Sequence, residues 1–477
     1  MKTLSFLSAF ALLITGSLTA QSTASSPVTL SDTVKTDGAR SVSITGLRGM
    51  KVSVRGHDSR QLMYAWTVRG SGRQFEEILA KSSVDARMEN SVLVIRVSTP
   101  ENMKDYSENN DESWLKQLIS PSKNGSKSRW NNELSQQFEV LMPKDLLLNL
   151  NSNYSEIRIL GIKAGVKAEN RAGQITVSAT AGDMDVNNQY GRTDISDHEG
   201  NVLVKGKSGS ISVADTRGNM QLTSDYSTIT VARHTGDLKV ENQSGKITVD
   251  ELNGNGVLRG KYGNITVSAV TGKLEVFNNS GSVQVDDAST LHIENEYGSI
   301  TLSKIKASAP GVVKASNGSV NLSRVQSDLT VHVAYGSVES KDGKGSLTVN
   351  AGDGSVRVDR HSGNIAVKGD DTGIRLNGIQ AESVQLETRG RSIDASFDKI
   401  IKLQIDAEDA NVSLNLPGKP DGQVDVHVED GTINGNALDI TRFTTRGAIK
   451  SAEYGSGTSQ LRIRLVNGTL TARTGAF

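Results

Sequence analysis

From about residue 150 the chain repeats a glycine followed by alternating apolar residues, as in Gly173-Gln-Ile175-Thr-Val177, Gly209-Ser-Ile211-Ser-Val213, Gly245-Lys-Ile247-Thr-Val249 and Gly298-Ser-Ile300-Thr-Leu302. With Ser155 and Ser227 standing in for glycine, successive starts lie 18 residues apart, except 17 from Gly281 to Gly298 and 20 from Gly298 to Gly318. Half a period later comes a similar segment, such as Gly182-Asp-Met184-Asp-Val186 or Gly236-Asp-Leu238-Lys-Val240. Alternation at period two sends Ile and Val to one side and Thr, Ser or Lys to the other, the mark of a half-buried strand. Glycine frees the turn from Cβ sterics. A helix would need apolar residues three and four apart, and β-branched residues dominate here. Self-similarity at a short fixed period defines a solenoid, whose units bury their apolar edges only against neighbours. The fold class expected is all-β: a parallel β-helix or β-solenoid of about 18-residue repeats with an amino-terminal β-rich cap.

A slower rhythm overlies the repeat. The residue before the repeat glycine alternates between tyrosine and something small or polar: Tyr154, Ala172, Tyr190, Ser208, Tyr226, Ser244, Tyr262, Ser280, Tyr297, Asn317, Tyr335, Asp353. Coils of 18 with tyrosine on every second coil would produce this, and so would coils of 36 with tyrosines stacked. Coils of 18 are favoured, because a wider ring would enclose more space than Ile, Val and Leu can pack. The tyrosines serve as a corner ladder, large against small, or as ligand-stacking rings.

The residues before the repeat differ in texture. Positions 41–45, 50–54, 62–69 and 92–98 read as strands, and Phe75, Ile78 and Leu79 mark a short helix. A solenoid's end exposes an apolar cross-section and open strand edges, so a cap is physically required. Residues 21–137 are assigned to that cap, with a polar loop inserted at 100–133, and residues 138–477 to the solenoid. Trp66, Trp114 and Trp130 all fall in the cap region, as core residues or as an exposed recognition patch. Residues 1–20 read as a signal peptide: Lys2, an apolar run from Leu4 to Ile14, then Gly16 and small residues ending at Ala20. That run is too short to span a bilayer, so no membrane span is expected after its removal.

Chemistry is hard to find. The chain has no cysteine, which excludes disulfides, thiolate nucleophiles and thiolate metal sites. Its 53 basic residues balance 53 acidic ones, giving no general attraction to nucleic acid. The seven histidines show no metal-ligand spacing, and no phosphate loop or nucleophile elbow is present. No cofactor is expected. Carboxylates that could line a sugar-cleaving groove are Asp183 with Asp185, Asp286 with Asp287, Asp370 with Asp371, and Asp406 with Glu408 and Asp409. Each fits a solvated turn or outward position better. Outward residues of the first strand are neutral hydrogen bonders (Ser210, Thr228, Thr266, Ser282, Thr301), whereas the second strand carries charge (Asp185, Lys239, Glu275).

The segment Phe138-Glu-Val-Leu-Met-Pro143-Lys-Asp-Leu-Leu-Leu148, the Gly-x-Ile-x-Val units and the closing Leu461-Arg-Ile-Arg-Leu465-Val-Asn-Gly468-Thr-Leu470 resemble one family. It comprises exported bacterial β-strand-repeat proteins of unknown function, described as adhesin-like and related to the auto-transporter adhesin head. The resemblance implies architecture and brings no catalytic motif. The expectation is an exported, non-enzymatic β-solenoid in the periplasm, on the outer surface or outside the cell, acting as an envelope binding or adhesion scaffold. Its partner would be a glycan, a cell-envelope polymer or another surface protein. The binding residues named on this reading are Trp114, Trp130, Tyr190, Tyr226, Tyr262 and Tyr297. A carbohydrate-active enzyme on a β-helix and a purely structural envelope spacer are the alternatives.

Overall fold

A computed structural model describes residues 27–70, 73–99, 135–435, 438, 448–454 and 457–474. The expected signal segment and the whole inserted loop at 100–133, with Trp114 and Trp130, lie outside the described residues. Thirty-two strands, β1 to β32 in chain order, and one helix, α1 (Arg73–Lys81), make up the described chain. The strands stack in parallel with an offset of 18: Met184 in β11 (Met184–Glu199) lies between Val166 in β10 (Val166–Ala181) and Val202 in β12 (Val202–Arg217). Coils of 36 are thereby excluded, and the protein is a parallel β-solenoid. The irregular spacings are absorbed without breaking the stack, since Tyr297 pairs with Asn317 and Ser280 with Tyr297.

One coil is a strand, a corner, a second strand and a sharper corner. In β12 and β13 (Met220–Thr235), Val202, Val204, Ile211, Val213, Met220, Leu222, Ile229 and Val231 all point inward and are buried. Each such side chain stabilises the stack by roughly 2 kcal/mol relative to exposure. The sharper corner has a fixed geometry: Ala179, Asp197, Asp215, Arg233, Glu251 and Ala269, one per coil, all adopt left-handed backbone with φ between 50° and 55°. Only the two aspartates are of a type that enters this region readily, so at the others the ladder register imposes it. Twice along this corner the outward side chains of successive coils form bidentate pairs, Asp215 with Arg233 (2.6 and 2.7 Å) and, farther on, Asp342 with Arg360 (2.6 and 3.1 Å), both also left-handed.

Inside the tyrosine corner runs a buried amide column. Asn170, Asn188, Asn242, Asn278 and Asn295 sit three residues before the repeat glycine or its substitute and are buried. Asn242 Nδ2 donates to the carbonyls of Ser227 (2.8 Å) and Ser244 (2.9 Å), and Asn188 Nδ2 to those of Gly173 and Arg192 (both 3.1 Å). Each amide thus satisfies carbonyls that the turn directs inward. Replacing Asn242 by Ala strips two buried carbonyls of a donor, an expected loss of about 2 kcal/mol in local opening energy. Hydrogen exchange of the neighbouring amides reads it, and a change below about 0.5 kcal/mol would mean that water substitutes freely.

At both ends the chain stacks its coils out of sequence order. The coil made by β2 (Ser41–Arg48) and β3 (Lys51–His57) lies between that of β6 (Val92–Ser98) with β7 (Ser135–Pro143) and that of β8 (Leu147–Asn153) with β9 (Glu156–Leu160). Antiparallel strands β4 (Gln61–Arg69) and β5 (Ser83–Glu89) then cover β7 and β6, and β1 (Val28–Lys35) covers β4. Trp66 and Phe138 are buried there, Tyr64 stands 6.2 Å from Phe138, and Ile78 of α1 is buried. The boundary expected between 137 and 138 falls inside β7, and strands from before it pair directly with the solenoid. At the other end β31 (Ser459–Val466) and β32 (Thr469–Thr474) slot between β26 (Lys402–Glu408) with β27 (Val412–Leu416) and β28 (Gly422–Glu429) with β29 (Thr432–Gly435). Antiparallel β30 (Ala448–Tyr454) pairs with β28.

Candidate functional site

The register places the corner tyrosines in one column. Tyr226, Ser244, Tyr262, Ser280, Tyr297, Asn317 and Tyr335 are consecutive partners from coil to coil. Four of these rings are turned to solvent: Tyr226 is 59%, Tyr262 54%, Tyr297 50% and Tyr335 62% exposed. Aromatic rings open to this degree are unusual away from binding surfaces, since burying them is worth more than almost any other side chain. Tyr190 belongs to the same column but is half-buried, with Lys207 Nζ 5.6 Å from its ring centre, and Tyr154 lies below Arg171. Of the expected binding residues, Tyr226, Tyr262 and Tyr297 therefore share one exposed line and Tyr190 stands at its covered end, while Tyr335, in the alternation but not among those expected to bind, extends it. The signal for Tyr335 was the same alternation.

Hydrogen-bonding groups flank the column. The residue before each ring or small partner is polar through Gln243, Lys261, Asn279 and Glu296, and the rows are cross-linked: Gln243 Nε2 donates to Asp225 (3.2 Å) and Asn279 Nδ2 to Glu296 (2.6 Å). Two residues beyond the column positions stand Thr228, Asn264, Ser282 and Ser299, with Lys246 among them.

The main hollows lie over the charged second strand, and one of them borders the column through Asn279 and Glu296. An open groove of about 850 Å³ runs from Leu147 to Arg259 over a floor that includes Asp185, Leu203, Gln221, Lys239 and Val257. It continues through hollows of about 470 Å³ (Arg259 to Ser316) and 480 Å³ (Lys314 to Asp370). Along one wall the turn amides cross-link coils, Asn201 donating to Asp183 (3.0 Å) and Asn255 to Asp237 (3.0 Å). In the second hollow Arg259 lies 4.3 Å over the ring of Phe277, His292 packs 5.7 Å from that ring, and Glu294 accepts from Lys314 (2.8 Å). Sequence reading missed this cluster because residues 259, 277, 294 and 314 meet only through stacking.

The candidate carboxylates do not converge. Asp286 is held by Ser303 and Lys304, Asp371 by Arg391, Asp406 by Arg464 and Asp409 by Asn467, each on its own neighbouring coil. These partners hold Asp286 and Asp371 below the usual carboxylate range, chiefly through hydrogen bonds from Ser303 and Arg391. A general acid at neutral pH needs the opposite shift. Among the described residues no three His, Asp or Glu side chains gather as metal ligands, and no helix is long and apolar enough to cross a membrane.

The fold and its surface define a repeat protein of the parallel β-solenoid class, regular along its length and closed by strand caps. The chain belongs to the Toastrack DUF4097 family, whose model matches residues 121–367 and 312–473. That agrees with a strand-repeat family of unknown function and does not extend to the auto-transporter relation. No curated protein matches the sequence. A crystal structure at 1.95 Å of a "putative cell adhesion protein" from Clostridium sporogenes ATCC 15579 is similar at 8% identity, covering 94% of this chain and 100% of that one, with a TM-score of 0.17. So low a score carries no argument about role.

Proposed function

We propose that the protein is an exported, non-enzymatic scaffold of the cell envelope that binds a repetitive surface polymer lengthwise along its tyrosine column. The single observation that carries this reading is the line of four exposed rings, Tyr226, Tyr262, Tyr297 and Tyr335, recurring at every second coil. A ligand with a regular repeat meets the same contact several times, and linked weak contacts multiply into strong binding. Export rests on the apolar run Leu4–Ile14 behind Lys2 and the small residues that follow it.

The test is binding of the mature chain to an array of glycans and cell-wall fragments, beside the variant Tyr226→Ser/Tyr262→Ser/Tyr297→Ser/Tyr335→Ser. Saturable binding that falls at least about a hundredfold in the variant, with an unchanged melting temperature, is the expected outcome. Equal binding by both proteins would remove the column from the site, and release of shortened sugars would turn the reading to an enzyme.

A further inference from the structure

We infer that the polymer taken by the tyrosine column is a β-1,4-linked glycan, lying along the solenoid axis with every second sugar on a tyrosine ring. This rests on the polymer-binding reading above and names its ligand class. The argument begins with spacing. Strands in a parallel stack are about 4.8 Å apart, so rings two coils apart recur at about 9.6 Å. In a β-1,4-linked chain each pyranose ring is turned over relative to the one before, and the same sugar face returns only at every second ring. The distance covered is that of one extended disaccharide, close to the spacing of the rings. An α-1,4-linked chain coils and a β-1,3-linked chain curves, and neither presents equal faces on a straight line at this interval.

The residues between the rings agree with that geometry. Ser244, Ser280 and Asn317 are the partners that alternate with the tyrosines, and their small size leaves room for the sugar whose opposite face points down. A column serving packing alone would place aromatic rings on consecutive coils, where they could stack at about 5 Å. Instead the rings are held apart, and among the described residues none of the four stacks on another. The axial C–H groups of a pyranose make an apolar face that suits an exposed phenol ring, while its equatorial hydroxyls project sideways. On this surface the sides carry amides and hydroxyls among charged groups, Asp225, Gln243, Lys261, Asn279 and Glu296 along one flank and Thr228, Lys246, Asn264, Ser282 and Ser299 along the other, with Lys261 Nζ 5.4 Å from the centre of the Tyr262 ring. From Tyr226 to Tyr335 the column runs six register steps, roughly 29 Å, enough for about six sugars.

The experiment is titration calorimetry of the full mature chain with hexasaccharides of equal length: cellohexaose and chitohexaose (β-1,4), maltohexaose (α-1,4) and laminarihexaose (β-1,3). Two variants accompany it: Tyr262→Ser, and Ser244→Tyr/Tyr262→Ser, which keeps the number of rings and breaks the two-coil interval. The expected result is binding of at least one β-1,4 hexamer about tenfold or more tighter than the other linkages, and a loss of about tenfold in both variants. Equal affinity across linkages, or recovery of affinity in the double variant, overturns the linkage inference while lengthwise polymer binding stands. The same holds if a charged polyol-phosphate polymer binds and no hexasaccharide does. Failure of every polymer to bind, with the wild-type chain folded by circular dichroism, overturns both the inference and the reading beneath it.

Discussion

Replacing Gly209 by Val is expected to open the middle of the solenoid, at a cost of about 3 kcal/mol or more, whereas Gly209→Ser costs much less. Gly209 has φ 134°, a region that residues with a Cβ rarely enter, and a Cβ built there collides with the carbonyl oxygen of Gly191 on the preceding coil. Gly191 stands in the same relation to Gly173, so the collision cannot be relieved by shifting one coil without disturbing the next. The column nevertheless accepts Ser155, Ser227 and Thr372, which are buried and lack positive φ. Their side chains turn inward instead, with Ser227 Oγ 2.6 Å from Ser224 Oγ and Thr372 Oγ1 donating to the carbonyl of Gly352. A small hydroxyl residue therefore has a second way to build the corner that valine lacks. Chemical denaturation with hydrogen exchange at residues 184–235 reads the difference. Equal damage from Ser and Val would mean that backbone freedom alone, and not the inward hydroxyl, decides what the corner tolerates.

The second large effect is a loss of stability as pH falls below about 6.5. His198, His234 and His361 are buried, and burial pushes each imidazole below its ordinary value of 6.5. His198 Nδ1 lies 2.9 Å from Thr180 Oγ1 and His234 Nδ1 2.8 Å from Thr216 Oγ1, and backbone groups of Asn201 and Asp237 beside the two rings oppose the shift most. The charged groups bearing on His198 are Asp183, which opposes the shift, and Lys163, which adds to it; Asp237 opposes it for His234, and for His361 the counterweight is a hydrogen bond with the Gly345 carbonyl. Because the folded imidazoles have the lower pKa, the unfolded chain binds more protons between the two values. Stability is then full above about 6.5 and falls as the pH drops through that point. The ion-paired carboxylates Asp215, Asp342 and Asp371 have lowered pKa values and lose their contribution only below the ordinary 3.8. The interval between pH 6.5 and about 5 thus isolates the histidines, because Glu275 and Glu294, also lowered, start from an ordinary 4.5. Neighbouring coils fill the same column with Leu252 below His234 and Ile379 below His361, so His198→Leu/His234→Leu/His361→Leu is compatible with the stack. Its melting temperature is expected to stay nearly flat from pH 7 to 5 where that of the wild type declines. Parallel decline of both proteins would assign the acid sensitivity to other groups.

The parts of this architecture that were legible in the sequence are those in which sequence neighbours are also stacking neighbours. Gly173-Gln-Ile175-Thr-Val177 and its successors predict strand, turn and coil size, and the structure pairs them at 18 as expected. The alternation Tyr226, Ser244, Tyr262 predicted the column, though not that Tyr226 would stand open while Tyr190 is partly covered. Stacking order at the ends was not legible, because β26 and β31 pair across 58 residues and no fixed period survives such a jump. The buried amides Asn170, Asn188 and Asn242 recur at a fixed place before the glycine, but asparagine in a turn ordinarily signals solvent, and only the inward carbonyls explain its burial. The left-handed corners at Arg233 and Glu251 were invisible because neither residue type favours that backbone.

The displaced coils at the two ends bear on what happens when such a rod is placed under tension. In a solenoid wound strictly in order, a pull on the last residue peels the outermost coil, breaking one ladder at a time like a zip. Here the last strands, β31 and β32, are clamped between two coils, so tension entering at the carboxyl end loads ladders on both of their faces at once. At the other end β1 can peel from β4, but β2 and β3 behind it are clamped in the same way. Fraying is thereby separated from sequence order at the carboxyl end, where β31 and β32 are not the outermost strands, and at either end a mechanical load reaches the regular coils only after it has sheared a strand held on two sides.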